Sequence, residues 1–265
     1  ALSPVVDITR DPRWGRTTET YGEDPTLTAA MASAFVKGIQ TDDLKEGIIA
    51  TAKHFVGHGI TEGGLNMGRN LVSERDLLEI HCKPFQCAIT EAGMQSVMSS
   101  YCSINGEPVV GSKKILTDIL RGHMGFTGFV VSDYVSVDRM VDPFCVTDSF
   151  EDAGIRAISA GLDVEYPRPK GFTYEMKAAV EEGKLSMETI DEAVRRVLHA
   201  KFKLGLFENP YPNLKKLRET LHCKETDELN EKIAKESFIL LKNENNILPL
   251  SKEVKKIAVI GPHAD

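Results

Sequence analysis

The segment FTGFVVSDYVSVDRM, residues 126–140, contains a short and mostly apolar run, GFVVS, that ends at Asp133. A β-prone run without regular polar alternation is typical of a strand that is buried on both faces, as in a parallel sheet. In a parallel barrel, the residues that follow each strand line the functional face. Taken alone, an aspartate in that place is more often a turn or helix-capping residue than a reactive carboxylate. The neighbouring strands therefore have to be compared.

Segments with strand and helix patterns alternate along the chain. Apolar runs predict strands at 2–8, 47–55, 94–104, 128–134 and 162–167. Amphipathic runs predict helices at 25–40, 73–93, 113–125, 148–161, 173–183 and 186–204. Pro84 is expected to kink or split the second helix. The alternation predicts an α/β fold, namely a partial (β/α)8 barrel of the TIM type that lacks its first strands, since a complete barrel takes about 250 residues.

The pattern changes after the last of these helices. Residues 1–208 are interpreted as the C-terminal part of the barrel, and residues 209–245 as a linker with a helix at 229–243. Residues 246–265 are interpreted as the start of a second domain, whose first strand is 255–262. A barrel without its first strands has unpaired edges, so we expect poor stability of this piece in isolation.

Composition excludes several classes of function. The 265 residues carry a net charge of −7, which argues against a nucleic-acid partner, and no apolar run is long enough to span a membrane. The five cysteines are scattered and form no CxxC pair, which argues against a zinc site or a disulfide framework. Residue 1 is alanine and no signal-peptide pattern follows, so we expect the true N-terminus upstream, and the compartment stays open between cytoplasmic and periplasmic or secreted. No metal, nucleotide or flavin cofactor is implied.

Polar and aromatic side chains follow the first four predicted strands. They are Arg16 after the first, Lys53 and His54 after the second, Met98 and Tyr101 near the third, and Asp133 and Tyr134 after the fourth. Cations and hydrogen-bond donors thus surround one carboxylate. Such a group suits a sugar, because charged side chains bind its hydroxyls and aromatic rings cover its apolar faces. A carboxylate that its neighbours keep ionised can attack an anomeric carbon.

Each residue also has a purely structural interpretation. Lys53 and His54 fit a buried ion pair and a core histidine, Met98 fits core filling, and RDPRWGR fits a surface ion-pair cluster. His54 and His58 have the spacing of an HExxH zinc motif, but its glutamate is missing. The glycine-rich segment GITEGGLNMG has no phosphate-loop spacing.

Seven segments together identify a family. In order they are RDPRWGRTTETYGEDP (10–25), AKHFVGHG (52–59), SVMSSYCSINGEP (96–108), GFVVSDY (128–134), AGLDVEYP (160–167), KFKLGLFENPY (201–211) and LLKNENNILPL (240–250). This series closely resembles the family 3 glycoside hydrolases, which include β-glucosidases and β-xylosidases. The resemblance covers essentially the whole chain.

The resemblance implies a barrel followed by an α/β sandwich domain, with a retaining, two-step mechanism. It assigns the nucleophile to Asp133, in the family's SDW/SDY motif. It assigns the binding of sugar hydroxyls to Arg16, Lys53 and His54, the lining of the same subsite to Met98 and Tyr101, and a wall of the next subsite to Tyr134, where many members have tryptophan; Arg139 is a weaker candidate. The general acid/base is expected outside this chain, and Asp163 and Glu165 are expected to be structural.

Three functional hypotheses remain. The favoured one is an exo-acting β-glucosidase that cleaves a β-linked oligosaccharide or glycoside, with β-xylosidase of the same family as the alternative. N-acetylglucosamine removal is disfavoured because GHG is followed by ITEGGLN. The other two hypotheses are of different classes. One is a Schiff-base aldolase that uses Lys53, and the other is a non-catalytic sugar-binding protein. Linkage preference and oligomeric state stay open.

Overall fold

Three parallel strands form the centre of the computed structural model, which describes residues 1–262 and 264. The strands of the first compact unit, residues 1–210, are Thr51–Phe55 (β1), Arg69–Asn70 (β2), Ser96–Ser99 (β3), Ser103–Ile104 (β4), Glu107–Pro108 (β5) and Phe129–Val131 (β6). The central sheet has the order β1-β3-β6. Parallel bridges extend it on both sides, from Val5 to Lys53 and from Val131 to Val164. Five consecutive parallel segments fit the predicted partial barrel.

Helices alternate with these strands. They are Pro25–Gln40 (α1), Glu74–Asp76 (α2), Lys83–Ala92 (α3), Phe150–Ala160 (α4), Met176–Glu181 (α5) and Met187–Lys203 (α6), with π-helical segments at Leu77–His81 and Lys114–His123. Short 3-10 turns occur at Thr17–Glu19, Leu44–Glu46, His58–Ile60, Glu62–Gly64, Val109–Gly111 and Asp138–Met140. The predicted alternation of strand and helix is therefore confirmed.

Local signals place the helix ends. The Asp24 carboxylate accepts the Thr26 N–H at 2.7 Å ahead of Pro25, so α1 begins where the sequence predicts. Ser73 accepts the Asp76 N–H at 3.1 Å and begins the next helical stretch. That stretch is split as expected, because Pro84 lies in the first turn of α3 rather than inside one long helix.

The core lies between the sheet and the helices on one side of it. Phe55 of β1 meets Phe85 of α3 edge to face, with ring centroids 5.0 Å apart. Val97 and Val130, which are register partners in β3 and β6, are fully buried. Gly128 precedes β6 because a Cβ there would lie 2.1 Å from the carbonyl oxygen of Gln95. The apolar run of the opening segment is thus a central strand of the core.

Several predicted strands are shorter than expected. Residues 2–8 and 162–167 each form a single bridge, because only part of each segment runs alongside a neighbouring strand. The predicted strand 94–104 divides after Ser99, and β4 pairs instead with β5 in an antiparallel hairpin. The Asn105-Gly106 turn joins them, and both of its residues have positive φ.

The second unit begins at Tyr211 and contains the helices Leu214–Thr220 (α7) and Lys224–Glu236 (α8) and a 3-10 turn at Glu244–Asn246. The helix predicted at 229–243 therefore begins and ends earlier. The strand predicted at 255–262 is not formed, and its Ile260 is 92% exposed. A strand is held by pairing with a neighbour, and no other strand occurs among the described residues of this unit.

None of the helices that the structure describes is long and apolar enough to cross a bilayer.

Candidate active site

Asp133 lies two residues beyond the end of β6 and is 7% exposed. The strand is continued by Ser132, whose N–H donates to the Val164 carbonyl at 2.8 Å. The Asp133 Oδ1 atom accepts the Tyr134 N–H at 2.8 Å, which fixes the carboxylate. The Oδ2 atom is buried and has no hydrogen-bond partner among the described residues. A buried carboxylate oxygen without a partner is costly for stability, so this oxygen is a candidate for a reacting atom.

His54, in β1, lies between two carboxylates. Its Nε2 atom is 3.6 Å from Asp133 Oδ2, and its Nδ1 atom is 2.8 Å from Asp7 Oδ2. Asp7 also accepts the backbone N–H of His54 at 3.2 Å. Burial works to raise the pKa of Asp7, but the charge of His54 and the hydrogen bonds from it outweigh burial and hold this pKa below its usual value. Asp7 is therefore an acceptor that His54 keeps ionised.

A second histidine, His58, packs against the first. The two ring centroids are 4.5 Å apart, and the rings of Trp14 and Tyr101 lie 5.3 and 5.7 Å from His58. The Nε2 atom of His58 is 3.1 Å from Asn66 Oδ1. Burial lowers the pKa of His58 to about 4. This neutral imidazole belongs to the aromatic wall, a role that the sequence analysis did not assign to it.

Tyr101 is half-buried and lies close to the charges of the site. Burial raises its pKa, and the negative charge of Asp133 adds to this effect. The guanidinium of Arg139 lies 5.3 Å from the centroid of the Tyr101 ring. The ring of Tyr101 is therefore held on one side by a cation and faces the carboxylate, as expected for a residue that lines the site.

Arg16 forms a bidentate ion pair with Glu19, with both N–O distances at 2.8 Å. The hydrogen bond from Arg16 lowers the pKa of Glu19, and the charges of His54 and Lys53 lower it further. The charges of Asp133 and Asp7 in turn help to raise the pKa of Arg16. Glu19 thus lies among the cations of the site, a position that the sequence analysis did not assign to it.

Met98 lies on β3, between the strands that lead to His54 and Asp133, and Tyr134 lies in the turn after β6. Met98 of β3 is 1% exposed and pairs in register with Val131, two residues before Asp133. Tyr134 is 48% exposed, and its ring is perpendicular to that of Tyr166 at 6.4 Å. The contacts and charge interactions described above connect Asp133 with His54, Tyr101 and Arg16.

Two further acidic residues, Asp163 and Glu165, are held in contacts that stabilise the fold. Asp163 binds Arg121 and Arg196 at 2.8 and 2.9 Å. Glu165 accepts backbone N–H groups of residues 170–172, the shortest at 2.7 Å from Phe172. Neither carboxylate is free for proton transfer in this arrangement.

The buried histidines imply a pH-dependent stability. The pKa values of His58 and His81 are both lowered to about 4, chiefly by burial, whereas a histidine in the unfolded chain titrates at 6.5. Below pH 6.5 the unfolded chain therefore binds more protons than the folded one. We expect the free energy of unfolding to fall between pH 6.5 and 4, by up to about 3 kcal/mol per histidine.

Urea unfolding at a series of pH values measures this effect. His81→Gln is expected to remove its share of the slope, whereas replacement of the exposed His123 serves as the control. Equal slopes for the parent and His81→Gln would contradict the assignment.

Comparisons with known proteins point to one family. Residues 1–200 match the model of the glycosyl hydrolase family 3 N terminal domain, and residues 238–265 match that of the C-terminal domain of the same family. A putative beta-xylosidase of Formosa agariphila is 39% identical over 98% of this chain and 35% of its own length. The periplasmic beta-glucosidase of Salmonella typhimurium is 34% identical over 99% of this chain and 35% of its own length.

Solved structures give the same result. A β-glucosidase from Erythrobacter marinus superposes with a TM-score of 0.89 at 36% identity, covering 94% of this chain and 33% of that one. A β-glucosidase from Listeria innocua in complex with glucose has a TM-score of 0.89 at 36% identity, covering 95% and 35%. The chain therefore spans about a third of the length of these relatives.

Proposed function

The chain belongs to glycosyl hydrolase family 3, and we propose that the whole protein is a retaining, exo-acting β-glycosidase that removes terminal non-reducing β-D-glucosyl residues. The observation that carries this proposal is the unpartnered Oδ2 atom of Asp133, buried at a strand end beside His54. Its substrate would be a β-linked oligosaccharide or glycoside.

Asp133 is the nucleophile in this proposal. Its Oδ2 atom forms a bond to the anomeric carbon while the bond from that carbon to the leaving oxygen breaks, and a general acid gives the leaving oxygen its proton. The same group then takes a proton from a water molecule, which attacks the glycosyl ester and releases Asp133 and a sugar of the original configuration. Because Asp163 and Glu165 are occupied, we assign the general acid/base to a part of the protein outside this chain.

Three side chains bind the hydroxyls of the sugar. Arg16 and Lys53 supply positive charge near the reacting carboxylate, and charge-assisted hydrogen bonds to hydroxyls are stronger than neutral ones. His54 supplies a ring nitrogen next to the reacting oxygen. On binding, a sugar would replace one or both contacts of Arg16 with Glu19.

The apolar and aromatic side chains shape the subsites. Met98 and Tyr101 line the subsite of the reacting sugar, and the guanidinium of Arg139 packs on the ring of Tyr101. Tyr134 is exposed, and its ring supplies an aromatic surface for the next sugar.

A β-xylosidase is the second candidate, supported by the names of relatives that are 39% identical to this chain. Xylose differs from glucose by the lack of a hydroxymethyl group, and none of the residues assigned above selects for or against that group. The other two hypotheses have less support. An aldolase would leave Asp133 and His54 without roles, and the relatives named above are glycosidases rather than proteins that only bind sugars.

Labelling with 2-fluoroglycosyl donors tests the proposal. We expect a 2-fluoroglucosyl donor with a good leaving group to inactivate the whole protein and to leave one sugar on the peptide that contains Asp133. The fluorine destabilises both transition states, and the activated leaving group keeps the first step fast enough for the ester to accumulate. Mass spectrometry of the digested protein locates the label.

The matched 2-fluoroxylosyl donor distinguishes the two sugars. Faster inactivation by the glucosyl donor supports β-glucosidase, and faster inactivation by the xylosyl donor overturns it in favour of β-xylosidase. A label on another residue, or turnover without any label, would reject Asp133 as the nucleophile.

A further inference from the structure

We propose that Asp7 is a positioning residue that fixes the tautomer and orientation of His54, so that the Nε2 atom of His54 receives a hydrogen bond from a hydroxyl of the bound sugar. This inference rests on the proposed function. It starts from a juxtaposition of three buried groups in the order Asp7, His54 and Asp133, which come from the segment 2–8, from β1 and from the residues after β6.

The first step concerns the hydrogen on the ring. An ionised carboxylate only accepts hydrogen bonds, so the His54 Nδ1 atom, 2.8 Å from Asp7 Oδ2, carries a hydrogen. The side chains of both residues are 1% exposed, and water therefore does not compete for this contact. We take His54 to be neutral when the sugar is bound, and Nε2 of the neutral ring then carries no hydrogen.

The second step concerns the orientation of the ring. The Asp7 Oδ2 atom accepts both the backbone N–H and the ring N–H of His54. Because one oxygen binds both the ring and the backbone of His54, it limits rotation of the side chain. His58 packs on the same ring at 4.5 Å and restricts it further.

The third step concerns the free nitrogen. Nε2 lies 3.6 Å from Asp133 Oδ2, too far for a direct hydrogen bond, and that oxygen has no other partner among the described residues. Nε2 is therefore available to the substrate. A hydroxyl of the sugar held against Asp133 is a donor within reach of it, whereas the other tautomer would turn the same nitrogen into a donor.

Asp7→Leu tests this role, because leucine is close to aspartate in size and accepts no hydrogen bond. The ring N–H at Nδ1 of His54 then has no acceptor, and its hydrogen is free to move to Nε2, beside Asp133 Oδ2. For the parent glycoside we expect kcat/KM to fall about 10- to 100-fold, the range typical of lost partners of functional histidines. Asp7→Glu, which keeps the acceptor, is expected to recover part of the loss.

Two readouts separate positioning from general damage. Across a series of monodeoxy glycosides, the variant is expected to equal the parent protein only for the sugar that lacks the hydroxyl bound by His54. In protein labelled with 15N-histidine, the protonated nitrogen of His54 is expected to change from Nδ1 to Nε2. The control is Asp163→Asn, which removes a buried charge away from Asp133 and is expected to affect all of the glycosides equally.

The proposal is overturned if Asp7→Leu leaves kcat/KM unchanged, if it lowers kcat/KM equally for every deoxy sugar, or if the tautomer of His54 stays the same. Labelling of Asp133 in the parent protein is measured first. If that label is absent, the proposed function fails, and the nitrogen shifts of His54 still decide whether Asp7 sets its tautomer.

Discussion

Replacement of Asp133 by asparagine in the whole protein is expected to lower kcat by a factor of about 10⁴ or more, the scale on which loss of a nucleophile acts. The amide has nearly the shape of the carboxylate, and its oxygen can still accept the Tyr134 N–H. It cannot form a glycosyl ester of useful stability. We therefore expect sugar binding to change by less than about tenfold, since the interactions with hydroxyls are made by other residues.

Steady-state kinetics with an aryl glycoside and calorimetric titration with a sugar inhibitor measure the two effects separately. Asp138→Asn is the matched control, because this neighbouring carboxylate pairs with Lys170 at 2.6 Å and has no assigned part in the reaction. In Asp133→Gly, azide is expected to restore turnover and to give an α-glycosyl azide, because it enters from the face that the carboxylate occupied. Turnover of Asp133→Asn within tenfold of the parent protein would reject the assignment.

The parts of the fold that follow from local signals could be predicted from the sequence. The capping contact of Asp24 and the proline at the start of α3 both act within a few residues, and the structure places each where it was expected. Pairing between strands depends on the neighbour. The segments 2–8 and 162–167 have strand-like sequences, but only Val5 and Val164 come into register with the sheet.

The same distinction applies to the site. Asp133 and His54 could be singled out because a parallel sheet brings the ends of its strands together. The contact of His54 with Asp7 and the stacking of His58 depend on side-chain directions that no spacing in the sequence gives. One signal for His58 was available in the sequence, since this residue lies in the segment GHG (57–59), just after the strand that carries His54. The pairing of Arg16 with Glu19 was predictable only as a generic i,i+3 ion pair.

Asp163 shows that a buried carboxylate of the sheet can be fully occupied by structural contacts. Its side chain is completely buried and accepts three charged or backbone donors, from Arg121, Arg196 and the Val130 N–H at 2.7 Å. These contacts join the π-helical segment 114–123, the strand β6 and the helix α6. Burial raises the pKa of Asp163 although both arginines work to lower it, so this network is costly to bury.

Removal of the Asp163 carboxylate is therefore expected to lower the free energy of unfolding by much more than the whole network adds to it. In Asp163→Ala, the largely buried guanidinium of Arg121 loses its counter-charge and Arg196 keeps only the exposed Glu192, so we expect the free energy of unfolding to fall by about 3–5 kcal/mol. Urea unfolding monitored by circular dichroism measures the loss. Asp118→Ala, which breaks an exposed pair with Lys113, is the control and is expected to cost less than about 1 kcal/mol.

The same variant separates a structural role from a catalytic one. If Asp163 only holds the fold, turnover per folded molecule stays within a few-fold of the parent protein while stability falls, and replacement of Arg121 and Arg196 by methionine and leucine in the same variant restores part of the stability. If Asp163 were the missing proton donor, turnover would collapse with little loss of stability. The two outcomes are opposite because a buried charge with three satisfied contacts cannot give up its partners for a proton without loosening the helix and strand that it joins.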